Sequence, residues 1–299
     1  MGIDNKAMIV KLHISAWKGR MTDKEVTTKT NTDYGASSKA GVYNKFLISK
    51  DELAKIQLAE SNARKFHMDM TLPWKDGGDR MLPAKNFMRY NKGMRDRKQK
   101  FDSAVTTFLN QYPVLITSAQ QVLGSMYKKA EYPTPSHMQT LFRFFTDIQP
   151  IPVSGDFRVE LNQHEIAKIK KDIDESNKKS NEDAMTHLRN RLYDAVKTMA
   201  NGMRTKLDQD GKILKKGRVF DSYVDNIREL TKILPDLNID DDQVLNDLAI
   251  EISDTLAAHT PGQLRQDAAL KKETVETADD IMARMDGYMG LGGGAVDVN

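Results

Sequence analysis

RMLPAKNFMRYNKGMRDRKQKFDSAVTTFLNQY, residues 80–112, is the stretch that decides how the chain is read. Phe87, Met94, Phe101 and Phe108 recur every seven residues, with Tyr90, Ala104 and Val105 between them. That spacing draws one apolar stripe along a long helix. Between Arg80 and Lys100 lie eight cations (Arg80, Lys85, Arg89, Lys92, Arg95, Arg97, Lys98 and Lys100) against a single acid, Asp96. The stretch therefore predicts a helix with one buried face and one strongly positive face.

Before it, Met8–Trp17 reads as a strand: Val10, Leu12, Ile14 and Ala16 alternate with a mixed face. Asp23–Thr32 reads as a short helix and Tyr34–Asn44 as a Gly-, Ser- and Ala-rich loop. Ser49-Lys50-Asp51-Glu52 has the spacing of a capping box for a helix that buries Leu53, Ile56, Ala59, Ala63, Phe66 and Met70. Asp76-Gly77-Gly78-Asp79 is a tight turn leading back to the central helix.

After it, Pro113 interrupts the helix or starts its successor, and Val114–Tyr127 is apolar enough to be largely buried. Leu141–Ile151 and Phe157–Leu161 read as strands around Ser154-Gly155-Asp156. Asn162–Leu207 is the longest helical stretch. Its apolar flanks enclose a polar run, Asp174–Asp183, where the helix either stands clear of the body or breaks. The a/d spacing in both flanks predicts a helical hairpin or coiled-coil arm. Two helices follow, Phe220–Leu234 and Asp241–Ala258, separated by Pro235, with Asp240 or Asp241 capping the second. Pro261-Gly262 opens a linker, Leu264–Met285 forms a terminal helix, and the glycines at 290–294 make a flexible end. The expected fold class is mostly α with a minor β-sheet (α+β), built on long amphipathic helices. Three consecutive regions are expected: a basic α+β domain at 1–161, an acidic helical domain with a long arm at 162–260, and a terminal helix and tail at 261–299.

Composition narrows the function classes. The chain has no cysteine among its 299 residues, which removes disulfides, thiolate metal sites and cysteine nucleophiles. No apolar run suits a signal peptide or a membrane span, so a cytoplasmic protein is expected. The net charge of +3 conceals a division. Residues 1–150 carry 24 Lys and Arg against 14 Asp and Glu, and the remainder 21 against 28. Such a split belongs either to a polyanion-binding region followed by an acidic part, or to ordinary helix-surface charge whose signs happen to segregate.

Motifs for chemistry are missing. His13, His67, His137, His164, His187 and His259 form no i, i+4 ligand pair. There is no phosphate-binding glycine loop after a strand and no G-x-S-x-G elbow. Asp240-Asp241-Asp242 sits where a helix N-terminus favours negative charge, so capping is expected there rather than metal binding. Asp208-Gln209-Asp210-Gly211 makes a turn but lacks the ligand series of a calcium loop. No enzyme activity, cofactor or metal is expected. Among the aromatics near the basic run, Phe87 and Tyr90 lie on the core stripe, leaving Trp74 as the ring available to stack on a base.

One resemblance bears on this. Gly19-Arg20 after an opening strand, a Gly-containing loop, Lys45-Phe46-Leu47-Ile48, a helix, a Pro/Trp/Gly turn ending in Met81-Leu82-Pro83, and a long helix with Phe101 and Tyr112 succeed one another. This order, over residues 8–160, resembles a family of uncharacterised phage and bacterial proteins with a domain of unknown function. Such genes often lie near MoxR-type AAA ATPases and von Willebrand A-domain proteins. The resemblance implies a non-catalytic companion to that machinery, in the host cytoplasm if phage-encoded, and supplies no catalytic residues.

Two readings follow. The first is a helical scaffold or adaptor that self-associates as a homo-oligomer or joins a protein partner such as a MoxR-type AAA ATPase. The second is a single-stranded nucleic-acid-binding protein of phage recombination or replication, whose site would comprise Trp74, Arg80, Lys85, Arg89, Lys92, Arg95, Arg97, Lys98 and Lys100. Residue patterns place the scaffold first. Neither reading involves a membrane.

Overall fold

The computed structural model describes residues 2–75, 78–156, 162–208, 210 and 212–290. In chain order the elements are β1 (Ala7–Ser15), β2 (Arg20–Thr22), α1 (Lys24–Asp33), β3 (Asn44–Phe46), α2 (Lys50–Asp69), β4 (Leu72–Pro73), β5 (Arg80–Pro83) and α3 (Phe87–Leu123). There follow α4 (Pro135–Thr140), β6 (Arg143–Pro150), α5 (Gln163–Met203), β7 (Lys206–Leu207), β8 (Ile213–Lys215), α6 (Asp221–Leu237), α7 (Gln243–Thr255), α8 (Pro261–Gln266) and α9 (Ala268–Tyr288). The protein is mostly α with a minor sheet of strand order β4-β5-β1-β6. The expected strand at Phe157–Leu161, most of the 290–294 glycine run, and parts of the turns at 76–79 and 208–211 lie outside the described residues.

The chain divides into two compact units that interleave in sequence. One comprises Met1–Val10, Asp69–Met88 and Ile148–Asn299; the other Lys11–Met68 and Arg89–Asp147. This differs from the consecutive regions expected at 1–161, 162–260 and 261–299. The physical reason is a shared apolar core. Ala7 and Ile9 of β1, Leu72 of β4, Met81 of β5 and Trp74, just after β4, are buried with the side chains of α5, α6 and α9. The antiparallel register of β1 on β5, Ala7 opposite Pro83 through Val10 opposite Arg80, brings the two strands together.

In this helical unit α5 is one continuous helix of 41 residues, capped by the Asn162 side chain, which accepts from the Glu165 amide. It does not break at the polar run. Residues 163–176 bury no side chain, whereas Asn177 is buried and donates to the Pro152 carbonyl at 2.7 Å. Beyond it Ala184, Leu188, Leu192, Val196, Met199 and Met203 form a wholly buried stripe, packed by α6 and α9. Each such leucine contributes about 1.5–3 kcal/mol by leaving water. Pro235 does not separate two helices but lies inside the last turns of α6. The cap of α7 is Asp242, not Asp240 or Asp241: its carboxylate accepts from the Leu245 amide and also holds Arg189 of α5 at 3.0 Å. Pro261 opens no linker; it starts α8 within a Thr260/Gln263 capping box.

The second unit is arranged on α3. Met94, Phe101 and Phe108 of the seven-residue series form its buried face together with Tyr90 and Tyr112, while Phe87, the first of the series, is half-buried. Trp17 meets Phe108 and Tyr112, while Phe144 and Phe142 meet Phe101 and Phe108. Pro113 sits inside α3 rather than ending it. The expected burial of 114–127 is not found: Val114 and Val122 are 68% and 83% exposed, because only Ala119 and Leu123 of that last stretch face the core.

In the same unit β2 and β3 form an antiparallel ribbon anchored by a buried cation. Lys45 alternates inward, and its ammonium lies 2.8 Å from Asp23 and from Glu131 and donates to the Met126 carbonyl at 2.9 Å. Two carboxylates and one carbonyl thus surround the buried ammonium. Asp23 is also the cap of α1, accepting from the Val26 amide. Burial works against the Lys45 charge, but the hydrogen bonds to Asp23 and Glu131 outweigh it and hold its pKa above the ordinary 10.5. The hydrogen bond from Lys45, with that from Val26, holds Asp23 below its ordinary 3.8.

The stabilisation from Asp23 is therefore present above pH 3.8 and lost as pH falls through its lowered value; that from Lys45 is present below pH 10.5 and lost as pH rises through its raised value. Lys45→Met leaves two facing carboxylates without their cation. We expect a lower urea midpoint at pH 7 and a reversed trend on mild acidification, where the variant gains stability as the carboxylates take up protons. Equal midpoints for parent and variant at pH 5 and pH 7 would show that the ion cluster contributes nothing.

Candidate nucleic-acid interface

The nine residues expected to hold nucleic acid separate into two sets. Trp74, Arg80 and Lys85 belong to the helical unit, the other six to the α3 unit. Trp74 is no stacking ring: it is 3% exposed and packs in the core. Its place beside the turn at 76–79 hid this, because most of the core that Trp74 joins is built by α5, α6 and α9, far along the chain. Arg80 is also buried, donating through Nε to Thr71 Oγ1 at 3.0 Å and through Nη2 to the Thr71 carbonyl at 2.9 Å. Burial, with Arg191 nearby, pushes its pKa down to about 10. Lys85 is ion-paired to Asp241.

On α3 the positive face survives in part. Arg89, Lys92, Arg95, Lys98 and Lys100 are exposed. Lys98 is paired along the helix with Asp102 at 2.6 Å. Arg97 turns inward instead: its guanidinium lies 3.7 Å from the centroid of the Phe66 ring and donates to the Gly93 and Asn62 carbonyls. Gly93 allows this, since a Cβ there would come within 2.2 Å of the Phe66 ring. Phe87 is half-buried and Tyr90 is buried, with its hydroxyl 2.8 Å from His67 Nδ1. Burial pushes the Tyr90 phenol well above its ordinary range. The exposed face forms an open trough of 540 Å³ lined by Arg95, Lys98, Gln99, Asp102, Ser103 and Thr106. All six come from one helix, so the trough lacks the opposed walls from which catalytic groups converge.

A second basic surface escaped the sequence reading. Arg20, Lys24, Lys39 and Lys50 are exposed around the β2–β3 ribbon, together with Tyr34, Tyr43 and Phe46. Its signal was present in the alternation of Asn44, Lys45 and Phe46, but a lysine at the inward position is the reverse of the usual pattern. Among the described residues no group of three or more His, Cys, Asp or Glu is placed to hold a metal ion. Nor, among them, is any helix long and apolar enough to cross a membrane. No protein-family model, no curated protein and no solved structure matches the chain.

The division of the nine residues is measurable. Trp74→Ala should cost about 3–5 kcal/mol in urea unfolding, as expected for a buried aromatic. Combined Lys92→Ala, Arg95→Ala and Lys100→Ala should stay within about 1.5 kcal/mol, at roughly 0.5 per surface site. A Trp74→Ala protein as stable as the parent would return this ring to the surface set.

Proposed function

We propose that the chain is a non-catalytic nucleic-acid-binding protein whose α3 unit holds the phosphates. The observation that carries this reading is the way charge follows the fold. The α3 unit has 20 Lys and Arg against 10 Asp and Glu, whereas the helical unit has 25 against 32. The stretches 1–10 and 69–88, which the fold assigns to the helical unit, contain four cations and four acids. The whole N-terminal excess of ten positive charges therefore belongs to the α3 unit. Lys92, Arg95 and Lys100 are exposed there without a described partner, and cations so placed release counterions when they meet a phosphate backbone.

A scaffold or adaptor role is the second reading, favoured by the first part of α5. Within residues 163–176, Ile166, Ile169 and Ile173 lie at helical spacing on one side and are half-buried, not fully covered. A second copy or a protein partner, such as the MoxR-type AAA ATPase implied by the resemblance, could use that side. The two roles are compatible in one chain.

Binding to a labelled oligonucleotide, followed by anisotropy, is expected to weaken steeply between about 50 and 200 mM salt. Lys92→Glu, Arg95→Glu and Lys100→Glu together should weaken it and lower the log–log salt slope by about one for each phosphate no longer neutralised. Binding absent at low salt, or indifferent to salt, refutes the nucleic-acid reading. A mass that is oligomeric in light scattering at high salt, with no oligonucleotide bound, would favour the adaptor.

A further inference from the structure

We infer that the outer face of the β2–β3 ribbon stacks bases, so that the nucleic acid taken by the α3 unit is single-stranded; this rests on the nucleic-acid reading above. The register places Arg20 opposite Phe46, Met21 opposite Lys45 and Thr22 opposite Asn44. Cross-strand partners share a face, and successive residues alternate between faces. Lys45 points inward to Asp23 and Glu131, so Phe46, Arg20, Thr22 and Asn44 share the outer face. The hydrogen bond from Thr22 Oγ1 to Asn44 Oδ1, at 3.0 Å, fits this assignment.

On that face Phe46 is 42% exposed, and the Lys50 ammonium lies 4.7 Å from its ring centroid. An exposed ring beside Arg20 and Lys50 combines the two features that hold single strands: a π-face for a base and cations for the flanking phosphates. Tyr34 and Tyr43 stand at the two ends of the adjoining loop, which carries the exposed Lys39. The loop is held rather than loose, since the buried Asn31 donates to the Gly41 carbonyl at 3.2 Å and Asp23 N donates to the Tyr43 carbonyl at 2.9 Å.

Two other rings of the unit are engaged already. Phe145 is exposed but stacked on His13 at 4.5 Å, and Phe66 is covered by Arg97. Behind Phe46, the Lys45 ion cluster and the bond from Leu47 N to the Gly19 carbonyl at 2.8 Å hold the ribbon in place. A duplex keeps its bases stacked on each other and offers the ribbon only phosphates, so the ring adds affinity for an unpaired strand alone.

The test compares an oligothymidylate of about 30 nucleotides with a duplex of the same length, at fixed low salt, for the parent, Phe46→Ala and Phe46→Trp. The parent should prefer the single strand. Phe46→Ala should lose roughly 5- to 100-fold in single-strand affinity, with duplex affinity unchanged. Phe46→Trp should retain binding, and its added fluorescence, above the background of Trp17 and Trp74, should be quenched by the oligonucleotide. Equal or tighter binding of the duplex by the parent, an unaffected Phe46→Ala, or an unquenched Phe46→Trp overturns the inference and leaves the nucleic-acid reading standing. A parent that binds neither form overturns both.

Discussion

Burial of the α5 stripe from Ala184 to Met203 is the contact on which the helical unit depends. No short segment of the chain covers that stripe alone. It is covered by α6 and α9 from beyond it, and its core extends to Leu72, Trp74 and Met81 and to the first residues of β1. The N-terminal strand therefore has its pairing partner in β5 and its core partners far along the chain. In this setting a tryptophan flanked by turn residues becomes core, and a nearby arginine becomes a buried donor to Thr71.

The α3 unit solves a different problem, that of confining a large positive charge. Its cations are managed in three ways. Lys45 is buried and neutralised by two carboxylates, Arg97 spends its charge on a ring and two carbonyls, and Lys98 is paired along its own helix. Lys92, Arg95 and Lys100 on α3, and Arg20, Lys24 and Lys39 near the ribbon, face solvent. Like charges left exposed on one unit destabilise it slightly through self-repulsion.

Periodicity made the long elements legible. The stripe of α3 has a local signature that the structure follows, whereas β1 forms as expected but buries Ala7, Ile9 and Val10 rather than the single face Val10, Leu12, Ile14 and Ala16. Prolines misled the reading at Pro113 and Pro235, because packing around α3 and α6 carries each helix through a residue that local rules treat as a stop. The candidate interface was legible where exposure follows from helical phase, as at Lys92, Arg95 and Lys100. It was not legible at Trp74, whose core is built largely by distant helices, at Arg80, which turns inward onto Thr71, or at Arg97, which meets Phe66 and Asn62 of α2. Lys45 is the clearest case: only the folded arrangement of Asp23, Met126 and Glu131 makes an inward lysine favourable.

Interleaving also sets a timetable for synthesis. The chain changes unit within β1, at the end of α2, at the start of α3 and within β6. The α3 unit has its full complement of residues once position 147 has left the ribosome. By then β1, β4 and β5 are made, but the stripe of α5 that covers Leu72, Trp74 and Met81 is not. From Met81 to Leu188 the ribosome needs on the order of 5–20 s. For the last part of that interval, after residue 147, the apolar side chains of β1, β4 and β5 are tethered to a unit whose residues are all present, while their own core partners on α5 are still to be made.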